Sequence, residues 1–154
     1  LQHEAARVIA VDVGYGQLHW TLRRDPRVRV LERTNIRHLT PEALGETPQG
    51  AVIDVSFISL RLVLPVVSRL VSPDAFLVAL IKPQFEVGRA QVGKGGVVRD
   101  PGLHRAVLRN LTAFFRENAW ELIEQAPSPV LGPKGNREFL VLLERMADGP
   151  RARG

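Results

Sequence analysis

Four charged side chains stand where an α/β chain usually does its chemistry. Asp54 in DVSFIS and Lys82 in IKPQFE each follow a strongly apolar run, and Asp12 closes the run RVIAVD. In open parallel sheets ligands collect at the carboxyl ends of the strands, so polar groups at those ends are candidate site residues. An unpaired charge beside an apolar run is costly, which means Asp54 and Lys82 are expected to meet each other or a ligand; a purely structural ion pair is the competing reading. Glu138, in GNREFLVLL, stands where a loop enters the last apolar run and in isolation reads as a solvated acid. Together an Asp, a Lys and a Glu at converging strand ends can do proton-transfer work. Burial and a nearby cation depress a lysine's pKa, while adjacent carboxylates oppose that shift but orient the ammonium. With no cysteine and no local Ser-His-Asp pattern, base-assisted attack by a substrate hydroxyl is favoured over covalent catalysis. Asp12 suits hydrogen bonds from ribose hydroxyls or a turn before Gly14, and strand position alone leaves both readings open.

These positions need elements to hold them. Short apolar runs alternate with longer amphipathic segments, the pattern of βα units around a parallel sheet buried on both faces. Strands are predicted over 7–12, 27–32, 51–55, 75–82, 120–124 and 139–143, with 75–82 (AFLVALIK) the most apolar and therefore central. The run 27–32 (RVRVLE) alternates, as a strand near a sheet edge does. A short helix is predicted within 16–24 and an apolar one over 60–70, bent or begun near Pro65. Another opens at an Asp100 cap with Pro101 at its first position and runs to about residue 118. The glycine-containing segment 84–100 is expected to be a long mobile loop. Trp20 and Trp120 lie in apolar periodic contexts and are expected to pack rather than to stack on bases.

Composition narrows the function classes. The chain has 154 residues, 45% hydrophobic, which suits one domain over 1–146 with a fraying basic tail over 147–154. Lys and Arg outnumber Asp and Glu by 21 to 16, a net charge of +5 that favours an anionic partner such as nucleic acid. Without cysteine there is neither a disulfide framework nor a thiolate zinc site, and the four His lack ligand spacing, so no metal is expected. No apolar run approaches the roughly 20 residues that span a bilayer and no signal peptide is recognisable, so a cytoplasmic protein without membrane contact is expected. The chain starts without Met almost directly on a strand, which suggests a fragment of a longer polypeptide.

The blocks VIAVDVGYGQLHWTLRRDPRV, ERTNIR, DVSFISL, LIKPQFEVGR, GGVVRDP and GNREFLVLLE resemble, in order and over about residues 7–144, the haemolysin-A-type (TlyA) family within the FtsJ-like ribose methyltransferases. The resemblance implies a Rossmann-like class I methyltransferase sheet with helices on both faces. It also implies methyl transfer from S-adenosylmethionine to the ribose 2′-hydroxyl of cytidines in ribosomal RNA, with ribosomal RNA or ribosomal subunits as partners. Of the family's Lys-Asp-Lys-Glu set, Asp54 matches the Asp, Lys82 the second Lys and Glu138 the Glu; no residue here matches the first Lys. The implied roles are a Lys82 that positions and deprotonates the hydroxyl and an Asp54 and Glu138 that hold it, with Asp54 also on the cofactor side. Asp12 would bind the cofactor's ribose, and Asn35 is similar to the family position beside the adenine. Arg89, Lys94, Arg99, Lys134 and Arg137 are candidate RNA phosphate contacts, or simply solvated loop charges.

The family's first strand and glycine-rich cofactor loop, and its S4-like RNA-binding domain, have no counterpart here. That strand is central in such a sheet, so its absence is expected to leave a gap lined by unpaired backbone, or strands paired between chains in a homodimer. The fragment alone is then expected to be inactive and the parent to be the methyltransferase. Two alternatives remain: a non-catalytic RNA-binding module of the same shape, and a nicotinamide-dependent oxidoreductase, which Asp12 would suit but Asp54, Lys82 and Glu138 would not.

Overall fold

In the computed structural model, which describes residues 1–147, the strands form two hydrogen-bonded groups. β1 (Val8–Val11) and β2 (Val28–Leu31) pair in parallel, Val8 opposite Val28 and Val11 opposite Leu31. The second group is built from β3 (Gly50–Ile53), β4 (Phe76–Ile81), β5 (Trp120–Pro127) and β6 (Phe139–Arg145), in the order β3-β4-β6-β5. β3 and β4 run parallel, whereas β6 is antiparallel to both of its neighbours. The apolar run FLVALI is central, as its composition demands: buried Leu77, Ala79 and Ile81 alternate with less buried Phe76, Val78 and Leu80. Among the described residues no ladder joins β1 to β3.

Four helices connect the strands: α1 (Trp20–Arg23), α2 (Pro41–Leu44), α3 (Leu60–Leu70) and α4 (Pro101–Glu117). α2, which the sequence reading leaves unassigned, carries its own signals: a Thr40 cap whose side chain accepts from the Ala43 amide, Pro41 at the first position and Gly45 with φ 68° at the end. α3 runs through Pro65 without breaking. The lost hydrogen bond is outweighed by six buried side chains, Leu60, Val63, Leu64, Val66, Val67 and Leu70. α4 opens as predicted, Asp100 accepting from the Gly102 amide at 2.7 Å.

α3 and α4 lie on one face of the four-stranded group and bury its core, in which Leu64, Leu77, Phe115, Trp120 and Leu143 are fully enclosed. α3 also spans the break between the two groups, because Val66 and Leu70 pack with Leu39 and Leu44 against Ile9, Val11 and Leu31. The opposite sheet face keeps Val52, Phe76 and Leu140 exposed among the described residues. Trp120 packs as expected and donates from Nε1 to Ser68 Oγ at 2.7 Å. Trp20 does not: it is 61% exposed, beside the Arg24 guanidinium, because no described element covers α1 on that side. Residues 148–154 of the predicted tail lie outside the described residues.

The segment 84–100 is anchored rather than loose. It begins within the 3-10 turn Pro83–Phe85 and contains another at Arg89–Gln91 and a bridge between Gly93 and Val97. Val97 and Val98 are buried. Glycine content alone did not reveal the side chain that clamps it, Asn136 on a distant loop. That residue accepts from the Val98 amide at 3.1 Å and donates to the Gly96 carbonyl at 3.0 Å.

Candidate active site

The carboxyl ends of β3 and β4 are adjacent because the strands pair in parallel, Ile53 opposite Ala79. The chain therefore brings Asp54, one residue past β3, next to Lys82, one residue past β4. Lys82 Nζ lies 2.7 Å from Asp54 Oδ1 and donates to Ser56 Oγ at 3.0 Å. The pair is lopsided: the Lys82 side chain is 11% exposed and the Asp54 side chain 65%. A pair whose carboxylate faces water contributes only about 0–1 kcal/mol to stability. Structural need therefore accounts poorly for threading a lysine stem through the apolar strand end, and a chemical role accounts for it better.

Two further contacts fasten the loop after β3 to the loop after β4. Phe57 and Phe85 meet at 5.1 Å between ring centroids, and Glu86 caps the start of α3, accepting from Ser59 Oγ at 2.7 Å and from the Leu60 amide at 2.8 Å. Burial holds the Glu86 carboxyl above its ordinary range, against the opposing effect of these hydrogen bonds and of Arg61. Phe57 is 90% exposed and has φ 63°. A bulky side chain is rarely held in left-handed backbone, so the loop keeps this ring in solvent at a conformational cost.

A cavity of about 700 Å³ opens beside the pair, lined on one side by Asp54, Phe57 and Ile58 and on the other by Asp12, Asn35 and Ile36. Its size falls within the roughly 300–1,000 Å³ of small-molecule sites. Backbone hydrogen bonds hold the second wall: the Asp12 amide donates to the Leu31 carbonyl and the Thr34 amide to the Asp12 carbonyl, both at 3.0 Å. Asp12 Oδ1 accepts from the Gly14 amide at 2.6 Å, so the carboxylate makes the turn contact and still lines the cavity. Asn35 Oδ1 accepts from the Arg37 amide at 3.1 Å and caps a 3-10 turn, leaving its NH2 group for other partners. An acid with a spare oxygen, a carboxamide and apolar walls fit the adenosyl portion of S-adenosylmethionine in chemical type.

Glu138, the third candidate, is buried at 6% exposure. Its Oε1 accepts from Gln84 Nε2 at 3.0 Å, and among the described residues it makes no ion pair with Lys82. Arg89, Lys94, Arg99, Lys134 and Arg137 are all exposed, and none of them pairs with an acid among the described residues. Their two loops are the ones that Asn136 joins. Ser56, Gln84 and Glu86 escaped the sequence reading. The only sequence signal for Glu86 is an acid in a largely apolar stretch, four residues after the lysine. Among the described residues no group of His, Asp or Glu could hold a metal ion, and no helix is long and apolar enough to cross a membrane.

The family of FtsJ-like methyltransferases matches residues 1–145. Over 148 residues the chain is 51% identical to the 16S/23S rRNA (cytidine-2'-O)-methyltransferase TlyA of Mycobacterium tuberculosis, covering 96% of this chain and 55% of that protein. A solved structure described as a "putative hemolysin" from Streptococcus thermophilus superposes with a TM-score of 0.90 at 44% identity, over 95% of this chain and 53% of the other. A 16S rRNA (adenine(1408)-N(1))-methyltransferase from Catenulisporales acidiphilia, solved with its cosubstrate SAM, is only 16% identical. With a TM-score of 0.58 over 94% of this chain and 76% of that one, it shows a common class I methyltransferase fold. The chain spans about half the length of the curated relatives it matches. It belongs to the FtsJ-like methyltransferase family.

Proposed function

We propose that the protein carrying this chain transfers a methyl group from S-adenosylmethionine to the ribose 2′-hydroxyl of cytidines in ribosomal RNA, in the cytoplasm. The observation that carries this reading is the Lys82–Asp54 pair, held at 2.7 Å, whose Asp54 lines the same cavity as Asp12 and Asn35. S-adenosylmethionine would supply an electrophilic sulfonium methyl. Asp12 would accept hydrogen bonds from its ribose, and Asn35 would lie beside its adenine. On the substrate side Lys82 Nζ would hold the 2′-hydroxyl and take up its proton, and Asp54 would steady the lysine at that place. Most of the acceleration comes from holding two reactants in line.

The RNA side has support of its own. Phe57 offers an open ring face on which a splayed base can stack, and single-stranded bases are commonly held this way. Arg89, Lys94, Arg99, Lys134 and Arg137 would meet phosphates. The relatives' names give the substrate class. The test uses the full-length protein with ribosomal subunits and labelled S-adenosylmethionine, reading 2′-O-methylcytidine by mass spectrometry of digested RNA. Lys82→Ala is expected to lower the rate at least about hundredfold, the usual scale for a general base. Wild-type protein that binds ribosomal RNA without methylating it would instead mark a non-catalytic RNA-binding module.

A further inference from the structure

We propose that Gln84 is a positioning residue for the methyl-transfer site, and that Glu138 acts on Lys82 through it rather than by direct contact. This rests on the ribose-methylation reading above. Three observations place Gln84 between the two charged groups. It lies in the 3-10 turn Pro83–Phe85 whose cap is Lys82, so its anchorage sets the direction in which the lysine leaves β4. Its Nε2 donates to Glu138 Oε1 at 3.0 Å, across 54 residues of sequence. Lys82, by contrast, gives its own contacts to Asp54 and Ser56.

The orientation of the Gln84 carboxamide is imposed on it. Its Oε1 is buried with no hydrogen-bond partner, and a buried amide oxygen left alone is unfavourable. Turning the group over would aim that oxygen at the Glu138 carboxylate and leave an amino group without an acceptor, which is worse. The carboxylate itself has little room, because an added Cβ at Gly132 would lie 2.1 Å from Glu138 Oε1. Glu138 is thus a fixed anionic acceptor, and Gln84 is the described side chain whose hydrogen bond it receives.

The test measures methyl transfer by the full-length protein carrying Gln84→Ala, Glu138→Ala, both together, or Glu138→Gln. Thermal melting of each variant serves as the control for folding. Each alanine variant is expected to lower kcat by about tenfold to hundredfold with little change in KM for S-adenosylmethionine, the scale of losing one hydrogen bond to a charged group. The double variant is expected to be no slower than the slower single one, since both remove the same connection. Glu138→Gln, which keeps an acceptor oxygen, is expected to recover activity to within about threefold of wild type.

A readout independent of catalysis accompanies these rates. The Cε and Nζ resonances of Lys82 in isotope-labelled protein should shift alike in Gln84→Ala and Glu138→Ala. Additive rate losses, or a Glu138→Gln as slow as Glu138→Ala while Gln84→Ala keeps its rate, would overturn the proposal. Lys82 resonances that move with Glu138→Ala but not with Gln84→Ala would do the same. Wild-type protein that methylates no RNA would defeat the functional reading instead, and the resonances would still decide whether Glu138 reaches Lys82 through Gln84.

Discussion

Gly132→Ala isolates the packing of Glu138 in one small change. Gly132 has φ −71° and ψ −178°, an extended conformation open to any residue. Alanine therefore meets no backbone strain there and should stabilise the chain by about 0.4–1 kcal/mol through the unfolded state. Opposing this is the methyl group itself, which would sit 2.1 Å from Glu138 Oε1 and 2.5 Å from its carboxyl carbon. The enclosed glutamate must then shift, and doing so withdraws the carboxylate from Gln84 Nε2. Hydrogen bonds to charged groups contribute about 1.5–3 kcal/mol. The net expectation is a loss of about 0.5–2.5 kcal/mol. At about 2–4 °C per kcal/mol for a chain of this size, that is a fall in Tm of roughly 1–10 °C. Thermal melting followed by circular dichroism measures it, and the decisive comparison repeats the substitution in a Glu138→Ala background, where the methyl group has nothing to displace. There Gly132→Ala should become neutral or stabilising. A Gly132→Ala that raises Tm in the wild-type background, or lowers it equally in both, would refute the argument.

The other expectations concern the two clamps around the site. Glu86→Gln removes a buried charge while keeping an acceptor for the Leu60 amide. Because burial raises the Glu86 carboxyl in the folded state, its contribution to stability is present below its unfolded value and lost as pH rises through the folded one. The variant should accordingly gain stability over wild type as pH rises above the ordinary glutamate value in urea titrations, and a variant that loses ground over that range would contradict the assignment. Asn136→Ala should leave the buried Val98 amide without an acceptor, costing about 1–3 kcal/mol and opening the segment to trypsin at Lys94 and Arg99. Unchanged digestion there would mean that the segment is held by something other than Asn136.

What the sequence made legible was mainly local. FLVALI had to be a central strand, and Asp100-Pro101 had to open a helix, because composition and capping act within a few residues. The Lys82–Asp54 pair was also legible, since two charges at the ends of apolar strands have few other ways to be accommodated. Contacts that depend on tertiary approach were not. Glu86 meets Ser59 across 27 residues and Gln84 meets Glu138 across 54, and nothing in their neighbourhoods marks the partner. The error at Trp20 has a related cause: helical spacing shows that a residue has an apolar face, not that anything covers it.

The two carboxylates proposed for one catalytic set occupy opposite environments, and that difference would separate their tasks. Asp54 faces solvent and holds the lysine directly, so water screens the pair. Glu138 is enclosed, close against Gly132, with a neutral carboxamide for its partner. A buried carboxylate in that setting is a rigid acceptor, because shifting it means rearranging a packed loop. The loop that supplies it is joined through Asn136 to the segment bearing Arg89, Lys94 and Arg99. RNA bound on those charges would thus press on the same loop that fixes Glu138, and through Gln84 on the turn that aims Lys82.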